Sequence, residues 1–582
     1  MVFLSPDRMN AGLLARFARR RFAPNGADVV ALALIAAAGV LLVHGAQQMS
    51  LPVANLHTTP VVLDPARLPE YALRTTLRMF AAILASLGFT FVVATAAAKS
   101  RKAGMVIVPM LDILQSVPVL GFLTFTVTFF LGLFPTSELG AECAAIFAIF
   151  TAQAWNMAFS FYQSLRTLPT DLDEVSRQFQ LSPWRRFWRL ELPFATPALV
   201  WNTMMSMSGG WFFVVASEAI TVGKTTVTLP GIGSWLALAI AAKDFVAIAW
   251  AVGAMAVVIV LYDQLLFRPI VAWADKFRFE QTASQEQPRS WFYDILRRTR
   301  VLRRLWRPFA LVLNAMPRPG LPKLLMPRIV SKRTARGLDA AWLALVAAAT
   351  LWAAWSIVRY VAATVPAREA LEAFSLGLIT LARVIVLIAI ASLIWVPLGV
   401  WIGLRPVWAE RIQPVAQFLA AFPANVLFPI AVIAIVAWRL NPNIWLSPLM
   451  ILGTQWYILF NVVAGAAALP NDLKEVSGIF HLRSWQRWRD MILPGIFPYY
   501  VTGALTASGG SWNASIVAEV ATWGHTRLEA VGLGAFIARA TEAGDYPRVA
   551  LGVGVMSVFV ILLNRGLWRP MYGYAERRFR LE

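Results

Sequence analysis

Cysteine is almost missing: Cys143 stands alone among 582 residues, in an apolar run. Disulfides therefore play no part in this fold, and the chain carries no reading of its redox compartment. Histidine is nearly as scarce. His44, His57, His481 and His525 lie scattered, without metal-ligand spacing, so no metal site is expected. Charged side chains make up only 14% of the chain against 58% hydrophobic ones, which excludes an ordinary soluble domain. Acidic residues are short too, 31 against 52 basic, for a net charge of +21. A nucleic-acid surface would carry such an excess, but its placement argues otherwise. The basic residues cluster between apolar spans, as at Arg16, Arg19, Arg20 and Arg21 or Arg577, Arg578 and Arg580. That is the bias of the cytoplasmic segments of a membrane protein, and no nucleic-acid partner is expected.

Long apolar runs are what the chain has in abundance. A membrane helix needs about 20 mostly apolar residues. On that rule spans are expected near 28–48, 75–98, 106–133, 140–163, 194–220 and 246–267. A second set follows near 339–361, 375–403, 413–438, 444–465, 495–521 and 548–567. The expected fold class is an all-α polytopic membrane protein with cytoplasmic termini. The first span follows a basic arm and no small-x-small cleavage site follows it, so it reads as an uncleaved helix. Pro109 and Pro118 interrupt the third span, and Pro414 and Pro423 the ninth. Kinks or short re-entry helices are expected there.

The chain also repeats itself. Glu174-Val-Ser-Arg-Gln-Phe-Gln-Leu-Ser-Pro-Trp returns 301 residues later as Glu475-Val-Ser-Gly-Ile-Phe-His-Leu-Arg-Ser-Trp. At the same offset Trp155, Pro169, Trp211, Glu218, Gly231 and Gly233 match Trp456, Pro470, Trp512, Glu519, Gly532 and Gly534. Upstream the offset becomes 305, pairing Thr75, Arg78, Pro109 and Pro118 with Thr380, Arg383, Pro414 and Pro423. Six spans per half is an even number, so both halves enter the membrane alike, a parallel repeat about an axis along the membrane normal. The expected organisation is a basic arm 1–27, a first six-helix half 28–267, a basic linker 268–338, a second half 339–567 and a basic tail 568–582. In the linker, arginines alternate with Trp291, Phe292, Leu296, Leu302 and Trp306, which suits either an amphipathic helix on the lipid surface or a solvated connector.

The segments 168–193 and 469–494 are polar, basic and tryptophan-rich between apolar spans. Each reads as two short helices. Thr170 or Asn471 is placed to cap the first, and Ser182-Pro183 is a start signal for the second. Leu192-Pro193 and Leu493-Pro494 mark the return to the membrane.

Glu-x-x, three residues, a small residue, nine more, then an aliphatic, any residue and Leu-Pro is the spacing of the "EAA" loop, and Glu174 to Pro193 and Glu475 to Pro494 follow it end to end. The chain resembles the permease subunits of bacterial binding-protein-dependent ABC importers, in which that loop occurs, and most of all their nitrate/sulfonate/taurine-type branch. The resemblance covers nearly the whole chain apart from the N-terminal arm and the linker. It implies a type I importer permease fold with the whole membrane portion on one chain, in the bacterial inner membrane. It implies that the loops are coupling helices, docking through Glu174, Phe179, Leu181, Trp184, Leu192 and Pro193 and through Glu475, Phe480, Leu482, Trp485, Leu493 and Pro494. Its partners would be two cytoplasmic ATPase subunits holding ATP and magnesium, with or without a periplasmic or lipid-anchored solute-binding protein. The permease itself would be no enzyme and bind no cofactor. The family's usual glycine between the two short helices is Gln180 here and His481 in the second copy, which leaves the elbow geometry open. The two docking sites are therefore expected to be unequal. The implied cargo is a small solute, an oxyanion or organosulfonate foremost, with an amine or heterocycle as the alternative.

A secondary transporter of parallel repeats would also have twelve spans. It would need no paired docking loops and would more often carry a buried titratable relay, which cannot be picked out of this sequence. Gly223-Lys-Thr-Thr lacks the upstream glycine of a phosphate-binding loop, so ATP binding by this chain is not expected. Polar residues inside spans are costly unless they face a cavity or a partner. Asn202, Ser206 and Gly210 share one face of the fifth span, and Thr502, Thr506 and Asn513 lie on its counterpart. With Gln153 and Gln455 they are candidates for a translocation path, and interhelical hydrogen bonding is the competing role. Glu218 and Glu519, at the outer helix ends, are expected to seal the structure or dock a partner.

Overall fold

A computed structural model describes Val40 and residues 61–277, 290–299 and 332–578, except 117, 135–136, 223–224, 470–472, 474, 476, 478 and 482–483. The expected span 28–48, most of the linker and Leu482 therefore lie outside the described residues. In the first half the helices are α1 (Leu68–Lys99), α2 (Arg101–Ser116), α3 (Val119–Leu133) and α4 (Leu139–Arg166). Two short helices follow, α5 (Thr170–Gln178) and α6 (Pro183–Arg186), then α7 (Leu192–Glu218). A hairpin of β1 (Ala219–Val222) and β2 (Thr225–Thr228) leads to α8 (Ile232–Ala242) and α9 (Phe245–Tyr262). In the linker, α10 (Trp291–Arg298) is capped by Ser290, whose hydroxyl accepts from Tyr293 N.

The second half runs α11 (Lys332–Ala362), α12 (Ala367–Gly403), α13 (Pro406–Ala421), α14 (Phe428–Ala437), α15 (Gln455–Ala467), α16 (Ser484–Arg487) and α17 (Leu493–Ala518). The hairpin of β3 (Val520–Trp523) and β4 (Thr526–Glu529) then leads to α18 (Leu533–Ala543) and α19 (Tyr546–Leu563). Among the described residues six helices are long and apolar enough to cross a membrane, and two bent helix pairs pass the same test. The fold is an all-α polytopic one built of two homologous halves. Within each half α4 packs between α1 and α7, and α15 between α12 and α17. Duplication reaches single turns. Wide helical turns at Phe187–Glu191 and Asp263–Phe267 reappear at Trp488–Ile492 and Asn564–Trp568. Such turns insert one residue into a helix and re-aim the side chains beyond it.

Three expectations need correction. The third spans do not break at Pro109 and Pro414, which sit inside continuous helices. They break at Pro118 and Pro423, which occupy the cap position in extended backbone. A proline there forces the preceding residue out of the helical region, and Phe422 is extended at ψ 127°. Second, the first short helix is not capped by Thr170; Pro169 holds the cap position and Thr170 is already helical. Ser182 does cap the second, its hydroxyl accepting from Arg185 N at 3.4 Å. Third, the fourth span of the second half is not one helix. It runs Pro442–Met450, turns, and resumes at Gln455 with a 45° bend. Pro442, Pro448 and Gly453 stand where the first half has Ala141, Phe147 and Ala152, and proline inside a helix removes a donor and clashes with the preceding turn.

The short hairpins and the 11-residue helices α8 and α18 were not anticipated. Strands of four residues are too short to show alternation, although Ile220-Thr-Val and Thr225-Thr-Val-Thr are β-branched throughout.

Candidate functional site

The two repeated loops lie at the end of the molecule opposite the hairpins. In the first, α5 stops at Gln178 and the chain reverses through Gln180, whose φ is 47°. His481 takes the same conformation in the second loop, at φ 46°. The left-handed elbow that glycine would make cheaply is kept in both copies without glycine. Leu181 N donates back to Ser176 O at 3.1 Å and Gln180 N to Arg177 O at 2.9 Å, closing the end of α5.

The elbow throws large side chains outward. Phe179 is 66% exposed and Trp184 46%, and in the second copy Phe480 is 72% and Trp485 73% exposed. Glu174 and Glu475 are exposed beside them, while Leu181 is half-buried. Exposed aromatics clustered on a polar loop form an apolar patch rimmed by charge, the composition of a protein-docking surface. Leu192-Pro193 and Leu493-Pro494 begin α7 and α17, so each loop leads directly into a helix of 27 or 26 residues.

The path candidates fare unequally. Asn202 donates to Ser160 Oγ at 2.8 Å, and Asn156 donates to Ser206 Oγ at 3.0 Å. Gly210 lies against the Gln153 amide, and Gln153 Nε2 contacts Met79 Sδ at 3.2 Å. All four lie where α7 meets α4 or α1, in the interhelical role. Gln455 accepts from Trp395 Nε1 at 2.9 Å, within its own half. Thr502 is exposed, and both Thr502 and Thr506 bond only to the preceding turn of α17. Asn513 crosses between halves: its Oδ1 accepts from Val119 N at 2.6 Å, capping the start of α3 after the Pro118 break. The structure does not gather these residues into one cluster.

A cavity of about 300 Å³ does lie between the halves, walled by Met204, Met207 and Trp211 of α7, Tyr262, and Phe418 of α13. Ser208 Oγ donates to Ala420 O at 2.6 Å across the same junction.

At the hairpin end sequence reasoning had Thr75, Arg78, Glu218 and Gly233 as repeated residues, but neither Glu142, whose repeat position is Asn443, nor their meeting. Arg78 is fully buried; its Nε and Nη2 donate to Glu142 at 2.5 and 2.7 Å, and its Nη1 donates to Glu218 at 2.6 Å. Glu218 also accepts from Thr75 Oγ1 at 2.7 Å and Gly233 N at 2.6 Å. The second half repeats the core of this arrangement: Glu519 accepts from Thr380 at 2.9 Å, Arg383 at 3.2 Å and Ala535 N at 3.0 Å. Glu218 and Glu519 are thus buried locks joining the end of α7 or α17, the start of α8 or α18, and α1 or α12, and cannot reach a partner. Gly231 and Gly532 are glycine because a Cβ would strike the carboxylate. Each carboxylate here is bonded within its own half. No group of His, Cys, Asp and Glu that could hold a metal occurs among the described residues.

Known proteins agree with this architecture. A family described as "Binding-protein-dependent transport system inner membrane component" matches residues 86–268 and again 395–573, more than half of the chain. A nitrate import permease protein of Leptolyngbya laminosa is 29% identical over 185 residues, 32% of this chain and 63% of the relative. A bicarbonate transport system permease protein of a Synechocystis species is 28% identical over 191 residues, 33% of this chain and 65% of the relative. A glycine betaine/carnitine transport permease protein of Listeria monocytogenes is 28% identical over 125 residues, 21% of this chain and 41% of the relative. The chain spans less than two thirds of the length of each of these relatives. Carrying the matched domain twice on a duplicated helical frame, the chain belongs to the family of inner-membrane components of binding-protein-dependent transport systems.

Proposed function

We propose that this chain is the membrane-spanning permease of an ATP-driven importer, its two halves enclosing one translocation pathway. Two cytoplasmic ATPase subunits dock at 168–193 and 469–494, and a separate solute-binding protein delivers cargo at the hairpin end. The observation that carries this reading is the pair of outward aromatic loops, each bent at the same left-handed elbow and each leading directly into α7 or α17. Closure of the ATPases would push those helices as levers. The basic flanks support a cytoplasmic position for the loops, the linker and the tail.

The cargo is a small oxyanion; the names of the nitrate and bicarbonate relatives support that choice. A second cargo class has its own support. The inter-half cavity is walled by Trp211, Tyr262 and Phe418, faces that attract a quaternary amine, and one relative is named for glycine betaine and carnitine.

The decisive experiment purifies the full-length chain with its ATPase and compares wild type with Glu174→Ala plus Glu475→Ala. Loss of the ATPase and of coupled uptake in the double variant is expected. Uptake by the chain alone, driven by an ion gradient, would refute the reading. Thermal shifts of the assembled complex with nitrate, bicarbonate, a sulfonate and glycine betaine separate the two cargo classes.

A further inference from the structure

The two loops share a backbone but not an electrostatic plan. In the first, a chain of ions ties the loop to the membrane helices. Lys99, at the end of α1, pairs with Glu191 at 2.9 Å. Glu191 pairs with Arg186 of α6 at 3.0 Å, Arg186 with Asp173 of α5 at 2.6 Å, and Asp173 with Arg177 at 2.7 Å. Two acids and three bases alternate, so every cation in the series has a carboxylate beside it.

The second half replaces nearly every member. Leu404 stands for Lys99, Ile492 for Glu191, Lys474 for Asp173 and Gly478 for Arg177; only the arginine is kept, as Arg487. Both acids are gone, and one has become a base. Ile492 is buried in the apolar core and can hold no charge partner. Among the described residues Arg487 pairs with no carboxylate, and its Nε is buried without a hydrogen-bond partner. A half-buried guanidinium left this way is costly, and covering it with a docked protein raises the cost unless that protein brings a counter-charge.

We infer that the second loop takes its missing counter-charge from the ATPase subunit: Arg487 docks against a carboxylate-bearing patch, whereas Arg186, its counterpart, is already paired inside the first loop, which docks through its aromatic face and Glu174. The two sites then make unequal demands. The first is the more preorganised and the less sensitive to salt; the second carries an added electrostatic demand completed only by the partner. This rests on the proposed docking role of the loops.

The test titrates the co-purifying ATPase subunit onto the stripped full-length chain in nanodiscs, at about 0.05 and 0.5 M salt, where screening differs several-fold. Lys474→Gln with Arg487→Gln is expected to weaken binding roughly tenfold at low salt and to flatten the salt dependence. Asp173→Asn with Arg186→Gln, which removes an internal pair, is expected to leave the salt dependence as in wild type. Writing the first loop's acids into the second, Lys474→Asp with Ile492→Glu, is expected to abolish the salt-dependent component and to slow hydrogen exchange of the 484–492 amides. Size-exclusion profiles identify any variant that fails to fold, and the remaining variants still decide. Unchanged affinity and salt slope in the Lys474/Arg487 variant, or an equal loss of slope in the Asp173/Arg186 variant, overturns the inference. Absence of any ATPase from the purified chain would instead sink the docking role itself.

Discussion

Gln180 and His481 hold the same left-handed backbone turn in the two halves, at φ 47° and 46°, although neither is glycine. A left-handed L-residue costs roughly 1–2 kcal/mol, and the turn persists because α5 behind it and the capped helix ahead of it fix both ends. Glycine would remove that cost but would also loosen the unfolded chain by about 0.4–1 kcal/mol. Gln180→Gly and His481→Gly should therefore each stabilise their loop by about 0.5 kcal/mol, read as slower amide exchange around the elbow. Gln180→Val should do the reverse, since a β-branched residue tolerates this region worst. Equal exchange in all three proteins would show that the elbow is not strained.

The buried lock at the hairpin end predicts an asymmetric response to charge removal. Arg78 is sealed between Glu142 and Glu218, while Arg383 keeps one carboxylate, Glu519, and a small exposure. Deleting one partner of a buried pair typically costs about 3–5 kcal/mol because the other charge is stranded. Arg78→Met should strand two carboxylates and prevent recovery of monodisperse protein. Arg383→Met should be tolerated better, with a lowered melting temperature in detergent. Similar yields and melting temperatures for both would contradict the inequality.

Gly231 and Gly532 supply an independent check on the same lock. A methyl group at either would collide with the glutamate carboxylate. Both Gly→Ala variants should lose stability, whereas Gly253→Ala and Gly554→Ala, where a Cβ meets nothing, should be neutral or slightly stabilising through helix propensity. Thermal unfolding of the four variants in one detergent makes the comparison.

Much of this was legible because the sequence states it twice. Glu218, Gly231, Gly233, Thr75 and Arg78 all surfaced as repeated residues before any contact was known. Their convergence was not legible: Arg78 and Glu218 are 140 residues apart, and no local periodicity reports on a pairing at that distance. Placing Glu218 at a helix end was right, and of the two roles expected there the structure shows sealing and not docking, a choice that depends on how the hairpin folds back. The break in the second half's fourth span was readable from Pro448 and Gly453, yet mean apolarity over the window hid it. The residues chosen as a translocation path on helical-face grounds divided, most of them meeting neighbouring helices, since a polar face serves packing as readily as passage.

Asn513 is the sharpest of those cases. Its side-chain oxygen accepts from Val119 N, the first helical amide beyond the Pro118 break, and so joins α17 of one half to α3 of the other. The repeat has Phe212 at the matching place, so only one of the two junctions is tied this way. Loss of such a cap typically costs about 1 kcal/mol. Asn513→Ala should lower the melting temperature by a few degrees, while Asn513→Asp, which keeps the acceptor, should recover most of it. If the amide acts on cargo instead, both variants would melt like wild type and differ from it only in uptake. Thermal unfolding and reconstituted uptake, measured on the same three preparations, separate a residue that holds the halves together from one that handles the solute.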